Sequence, residues 1–211
     1  MPFFLSLLFL LPLSVLAKDN IKILTETTKL QEQTLLRNYS ILSSPNLEKY
    51  CLQLTQVMQF QRINQCHIIK TEHINAYVLA NGHVYFSLGM MKQIKNQHQW
   101  AAILAHENAH LELNHYLKML EKYQNPGVFF PKSKIKKMHK MHEKQADDWS
   151  HKKLTQYGFD PNQIYYFMQR VIQKNGNKKT YSHMKPSKRI KKNNGVEVID
   201  EKLIQMISDL Q

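Results

Sequence analysis

The chain has few cysteines, few acidic residues and no long apolar run after its first residues. Its 211 residues include two cysteines, and their spacing excludes a CxxC metal or redox site. Beyond residue 17, no stretch is apolar over the roughly 20 residues that a membrane-spanning helix needs. Internal repeats and low-complexity linkers are also absent, so we expect one domain and a soluble mature protein.

The first seventeen residues, MPFFLSLLFLLPLSVLA, are apolar apart from two serines and carry no charged side chain. Two prolines and the short length argue against a regular membrane-spanning helix. Val15 and Ala17 are the small residues that precede a signal-peptidase cut. The sequence therefore predicts a secretory signal peptide over residues 1–17 and a single domain over residues 18–211. An uncleaved anchor is the alternative, because the usual positively charged start is missing.

Acidic residues are outnumbered by basic ones, 16 to 29, which gives a formal net charge of +13. The lysines are scattered through residues 132–144 and 174–192, and aromatic residues are not interleaved with them in a nucleic-acid-binding pattern. We therefore expect no nucleic-acid partner, and we interpret the lysines as a solvated face that could contact an anionic membrane surface.

The two cysteines, Cys51 and Cys66, leave two alternatives open. An oxidising compartment would permit a disulfide between them. Two buried thiols are equally compatible with the sequence, because spacing alone does not show whether the Cα atoms approach each other.

The pattern of apolar residues predicts an α+β fold: mostly helices, with a small sheet before the helix that carries HENAH. Asn81-Gly82, between two β-rich arms, predicts a type I′ hairpin. A proline at N1 and a glycine at the C-cap mark helix boundaries. We expect strands over 66–71 and 76–88, and helices over 25–42, from Ser44-Pro45 onward, over 97–122, over 132–157 closed by Gly158, from Asp160-Pro161 onward, and over 198–210.

HENAH, residues 106–110, has the HExxH pattern of many zinc hydrolases. On a helix, His106 and His110 lie on one face and can bind the same metal ion. Glu107 is rotated off that line, where it suits a base that takes a proton from a zinc-bound water. A chance match on a surface helix is the alternative, but the small apolar residues before the motif favour a buried helix.

A catalytic zinc needs a third protein ligand. Tyr116 stands where the three-histidine arrangement requires its last histidine, so that arrangement is excluded. His115 is about 140° around the helix from His110, at 100° per residue, and is not expected on the same face. Glu143 and Asp147 share a helix face further along, so Glu143 can bind the metal while Asp147 holds a ligand histidine from behind. Taken alone, Glu143 could also be a solvated charge.

HENAH followed by EKQAD resembles the M48 family of zinc metalloendopeptidases, of the gluzincin type, in its soluble secreted branch. Asn108 and Ala109 stand where that family usually has an apolar residue and often has glycine. The segments that extend the resemblance are 75–90, with the asparagine-led hairpin, 157–161, with YGFDP, and 182–190, a late histidine–proline loop.

The resemblance implies one zinc ion per chain, held by His106, His110 and Glu143, with Glu107 as base and acid and Asp147 behind the ligands. It also implies a substrate-binding strand edge, formed by Asn75, Ala76 and Tyr77, that holds an extended peptide.

The late loop places His183 and Arg189 at positions that could act at the zinc. His183 could stabilise the transition state, occupy the water position in a resting form, or be a structural loop residue.

Together these features predict a zinc endopeptidase that cleaves unfolded or misassembled cell-envelope proteins through a zinc-bound water activated by Glu107. Export through the Sec route, to a bacterial periplasm, is the expected localisation. The alternative from another class is a catalytically silent, chaperone-like zinc-binding module of the envelope. Glu107 favours the enzyme, because a structural zinc site needs no base beside its ligands.

Overall fold

The computed structural model describes residues 16–124, 132–176, 187 and 195–210. This part of the chain has the expected α+β architecture, in which helices surround a small mixed sheet. The helices are α1 (Leu16–Asn38), α2 (Pro45–Val57), α3 (Leu88–Met91), α4 (Gln97–Glu112), α5 (His115–Gln124), α6 (Lys132–Gln156), α7 (Ile164–Asn175) and α8 (Glu201–Ser208), with a 3-10 turn at Pro161–Gln163. The strands are β1 (Ile41–Leu42), β2 (Gln65–Ile69), β3 (Ala76–Val78) and β4 (His83–Ser87).

The sheet has the strand order β1-β2-β4-β3, so β1 and β3 form its edges within the described residues. The central strands β2 and β4 are parallel, with Ile69 opposite Ser87, and both edge strands are antiparallel to their neighbours. One face of the sheet packs on α4, where the rings of Phe86 and Trp100 meet at 89° with centroids 5.7 Å apart. The sheet thereby fixes the position of the HENAH helix.

Helix α4 is buried along nearly its whole length, as its small apolar residues predicted. Its N-terminus is capped by Asn96, whose side chain accepts a hydrogen bond from the Gln99 amide at 3.0 Å. Ala105 and Ala109 on α4 and Ala146 on α6 are completely buried. Because these side chains are single methyl groups, the two helices can approach closely, and the HENAH and HEKQAD segments face each other.

The prediction of a single helix over 97–122 is wrong, because the first helix ends at Glu112. Leu113 and Asn114 form a turn in which Asn114 has a φ of 52°, and α5 then starts at His115. Asparagine tolerates this left-handed conformation better than most residues. Arg62 stabilises the break from outside, since its guanidinium donates to the Leu111 carbonyl and to Asn114 Oδ1.

The predicted hairpin is present, but its turn is not of type I′. The loop spans three residues, 80–82, closed by a hydrogen bond from Leu79 N to His83 O at 2.9 Å. Only Gly82 has a positive φ, 86°, while the Asn81 side chain accepts from His83 N at 3.2 Å. A Cβ on Gly82 would lie 2.0 Å from the Arg62 carbonyl oxygen, so glycine is required here for close approach as well as for conformation.

The first predicted helix has different bounds. Helix α1 begins at Leu16 and ends at Asn38, while Ile41 and Leu42, which fall within the predicted helix over 25–42, form strand β1 beside Ile69 and Ile68. The last helix, predicted over 198–210, is the shorter α8 over Glu201–Ser208, and Leu88, predicted in a strand, begins α3. The boundaries around Gly158 and Asp160 agree with the sequence. Gly158 follows α6 with a φ of 78°, and the Asp160 side chain caps the next turn by accepting from Asn162 N.

Cys51 on α2 and Cys66 on β2 form a disulfide bond, which settles the alternative of two free thiols. Both residues are buried, and the bond fastens α2 to a central strand. No helix among the described residues is long and apolar enough to cross a membrane. Residues 1–15, which hold most of the predicted signal peptide, lie outside the described residues.

Candidate metal centre

His106, His110 and Glu143 meet between α4 and α6, as the spacing predicted. The two Nε2 atoms are 3.3 Å apart, and the Glu143 carboxylate oxygens lie 3.7 Å from His106 Nε2 and 3.4 Å from His110 Nε2. His106 and Glu143 are buried, and the His110 side chain is 12% exposed. Two imidazoles and one carboxylate thus converge on a common point.

This donor set fits a zinc ion. Nitrogen and oxygen ligands at the usual bond lengths of about 2.0–2.2 Å around tetrahedral zinc are separated from one another by about 3.4 Å. The two imidazole nitrogens are 3.3 Å apart, and each lies at a similar distance from a Glu143 oxygen, 3.7 Å from Oε2 for His106 and 3.4 Å from Oε1 for His110. Imidazole together with carboxylate is also a donor combination typical of zinc hydrolases.

Asp147 lies behind His106, as predicted. Its Oδ1 is 2.9 Å from His106 Nδ1, on the side of the ring away from the other ligands. A carboxylate there holds the proton on Nδ1 and leaves Nε2 as the metal-binding atom. Asp147 follows Glu143 by one helical turn, so a single face of α6 supplies both a ligand and its support.

Glu107 is buried beside the donor set and is tied to the edge of the sheet. Its Oε2 accepts a hydrogen bond from Val78 N of β3 at 3.2 Å. The Val78 carbonyl accepts a hydrogen bond from the Tyr116 hydroxyl. Burial, and then the carboxylates of Glu107 and Glu143, raise the pKa of Tyr116 far above its ordinary value, so this hydroxyl remains a donor.

His115 is a site residue that the sequence interpretation placed wrongly. Its spacing from His110 predicts another helix face, but its Nδ1 lies 3.0 Å from His110 Nδ1. The prediction assumes a continuous helix, and the turn at Asn114 invalidates that assumption. Burial, followed by the neighbouring imidazoles of His142 and His110, lowers the pKa of His115 to about 4. The ring is therefore neutral near neutral pH.

A pocket of about 100 Å³ opens next to the donor set. Its polar lining includes His106, Glu107 and Asp147, together with Ser150 and His151 of α6. Apolar side chains, among them Ile103, Leu154 and Phe167, supply most of the rest. The pocket can therefore receive an apolar side chain next to the candidate base.

The predicted substrate edge, Asn75, Ala76 and Tyr77, lies at β3, the sheet edge nearest Glu107. The register pairs Tyr77 with Tyr85 and Val78 with Val84, and Ser87 N donates to Asn75 O. In an antiparallel pair, alternate residues direct their backbone groups away from the partner strand. Ala76 and Val78 are the residues oriented in this way, whereas Asn75 and Tyr77 face β4. His183 and Arg189 lie outside the described residues.

Two comparisons with known proteins agree with this geometry. The family model of peptidase family M48 matches residues 42–130, which include HENAH but end before Glu143. The chain is also 39% identical over 49 residues to metalloendopeptidase OMA1, mitochondrial, from Bos taurus. That match covers 23% of this chain and 9% of the relative, so most of the relative has no counterpart in it.

Proposed function

We propose that this chain is a zinc-dependent endopeptidase of peptidase family M48, whose family model matches residues 42–130. The observation that carries the proposal is the buried convergence of His106, His110 and Glu143 with Glu107 beside them. A purely structural site would use a fourth protein ligand and would have no need of an adjacent buried carboxylate.

The chemistry divides between the metal and the protein. Bound zinc would supply the Lewis acidity that lowers the pKa of water toward neutrality and polarises a peptide carbonyl. Glu107 accepts the proton of the attacking water and then delivers it to the departing amine nitrogen as the C–N bond breaks. Asp147 keeps His106 in the tautomer that leaves Nε2 available.

The proposed substrates are polypeptides in an extended, unfolded state, as unfolded or misassembled envelope proteins would be. The edge strand β3 lies next to Glu107, where it could hold an extended peptide. The adjoining pocket is largely apolar. Apolar side chains are buried in folded proteins, so an unfolded chain presents them to such a pocket more readily.

We further propose export through the Sec route to a bacterial periplasm. The apolar, uncharged N-terminal segment supports a signal peptide. The disulfide between Cys51 and Cys66 supports an oxidising compartment. On α6, Lys134, Lys136, Lys137 and Lys140 are exposed, which supports peripheral contact with anionic lipids.

The test compares metal content and cleavage of casein in the wild type and in Glu107→Gln. We expect the variant to retain stoichiometric zinc and to lose at least about 100-fold in cleavage rate, because it keeps the ligands but lacks the base. Glu112→Gln, an exposed glutamate at the end of the same helix, is the matched control and should match the wild type. Stoichiometric zinc without Glu107-dependent cleavage would instead identify a binding module.

A further inference from the structure

His115 and Gln145 form a hydrogen-bonded chain that ends on the metal-ligand candidate His110. His115 Nδ1 is 3.0 Å from His110 Nδ1, and His115 Nε2 is 3.1 Å from Gln145 Oε1. The His115 ring is buried and stacks on His142, with centroids 4.1 Å apart and planes 6° apart. Contacts on both ring nitrogens and on one ring face therefore fix its orientation.

The protons in this chain have one arrangement that is consistent with metal binding. His110 Nε2 points at the other ligand atoms, so a neutral His110 must carry its proton on Nδ1. That proton needs an acceptor, and His115 Nδ1 lies 3.0 Å from the nitrogen that carries it. His115 then carries its own proton on Nε2, which donates to the Gln145 carbonyl oxygen.

The two candidate ligand histidines are thus supported by different chemistry. His106 is held by the carboxylate of Asp147, while His110 is held by a neutral imidazole. From this geometry we propose that His115 is the positioning residue of His110, with its tautomer set by Gln145. The inference rests on the proposed metal site and concerns metal binding rather than cleavage.

The test measures zinc affinity of the full chain by competition with a chromogenic chelator. Loss of a hydrogen-bond partner of this kind typically costs 10–100-fold in metal affinity, and we expect a loss of about that size for His115→Ala. His115→Asn should recover much of it, because its Oδ1 lies near the position of the lost Nδ1 and can accept from His110. His98→Ala, on the same helix α4 but away from the donor set, is the control and should bind zinc as the wild type does.

A second measurement keeps the inference testable if His115→Ala does not fold. Imidazole ¹⁵N spectra of the zinc-loaded wild type should show His115 protonated at Nε2 and His110 protonated at Nδ1. A proton on His115 Nδ1, or a His115→Ala affinity within about twofold of the wild type, overturns the inference and leaves the proposed function standing. Failure of the wild type to bind zinc overturns both.

Discussion

At the scale of single residues, two buried asparagines of the HENAH helix differ in their hydrogen bonding. Asn96 and Asn108 are both completely buried. The Asn96 side chain accepts from Gln99 N and donates to Val198 O at 2.7 Å. Neither side-chain atom of Asn108 has a hydrogen-bond partner within the described structure. A buried amide without partners keeps its full desolvation cost.

Asn108→Leu should therefore stabilise the protein. Leucine has nearly the same shape and removes two unsatisfied polar atoms, so we expect the free energy of unfolding to rise by about 1–2 kcal/mol, measured by urea denaturation. Asn96→Leu is the matched control, and it should lower the same quantity by about 2 kcal/mol through loss of the helix cap and its partners. A similar loss in both variants would contradict this account.

The sequence predicts those residues of the site that lie on one face of a helix at regular spacing. His106 and His110, and likewise Glu143 and Asp147, are four residues apart, and helix geometry alone places each pair on one face. The contacts of His115, Tyr116 and Val78 depend on a helix break and on the docking of β3, which spacing does not specify. Asn114 was the one local signal of that break.

At the scale of secondary-structure elements, capping residues located the end of α6 and the turn that follows it. Ser44 before α2 makes no side-chain cap hydrogen bond, and long-range contacts shifted other boundaries. Gly158 and Asp160 acted as the sequence predicted. The end of α4 depends on Arg62, which is 49 residues away from the carbonyl that it binds. Ile41 and Leu42 have the apolar character of the helix before them, and only pairing with β2 makes them a strand.

Gly82 and Gly158 allow the steric contribution of a turn glycine to be separated from its conformational contribution. Both have positive φ, but a Cβ would meet the Arg62 carbonyl oxygen at Gly82 and nothing within 4 Å at Gly158. Gly158→Ala should lower the free energy of unfolding by about 1 kcal/mol, since only the backbone conformation is unfavourable. Gly82→Ala should cost clearly more, because the hairpin must also move away from residue 62. If both variants lost the same free energy of unfolding, measured by urea denaturation, the close approach of Gly82 to the Arg62 carbonyl would be refuted.

At the scale of the whole molecule, buried histidines make the stability depend on pH. Burial and neighbouring imidazoles lower the pKa of both His115 and His142 to about 4. The unfolded chain takes up these protons near pH 6.5, whereas the folded chain resists them until about pH 4. The two histidines therefore do not lower the free energy of unfolding above about pH 6.5. They lower it progressively as the pH falls from about 6.5 to about 4.

We accordingly expect the metal-free protein to lose stability between about pH 7 and pH 5, by up to about 1.4 kcal/mol per pH unit for each histidine. His142→Phe keeps a flat ring against His115 and removes one titrating group. Its free energy of unfolding, from urea denaturation across the same range, should depend less on pH than that of the wild type. If the free energy of unfolding depended on pH equally in the variant and the wild type, His142 would not be a source of the pH dependence.

Because the donor set is divided between α4 and α6, metal binding would affect the fraction of the protein that is folded. A ligand that binds only the folded chain stabilises it by mass action, by about 2.7 kcal/mol at a free concentration of 100 times its dissociation constant. Unfolding separates the two helices and disperses His106, His110 and Glu143, so a zinc ion bound by these residues would also stabilise the folded chain. The amount of intact protein in its compartment would then follow the availability of the metal there.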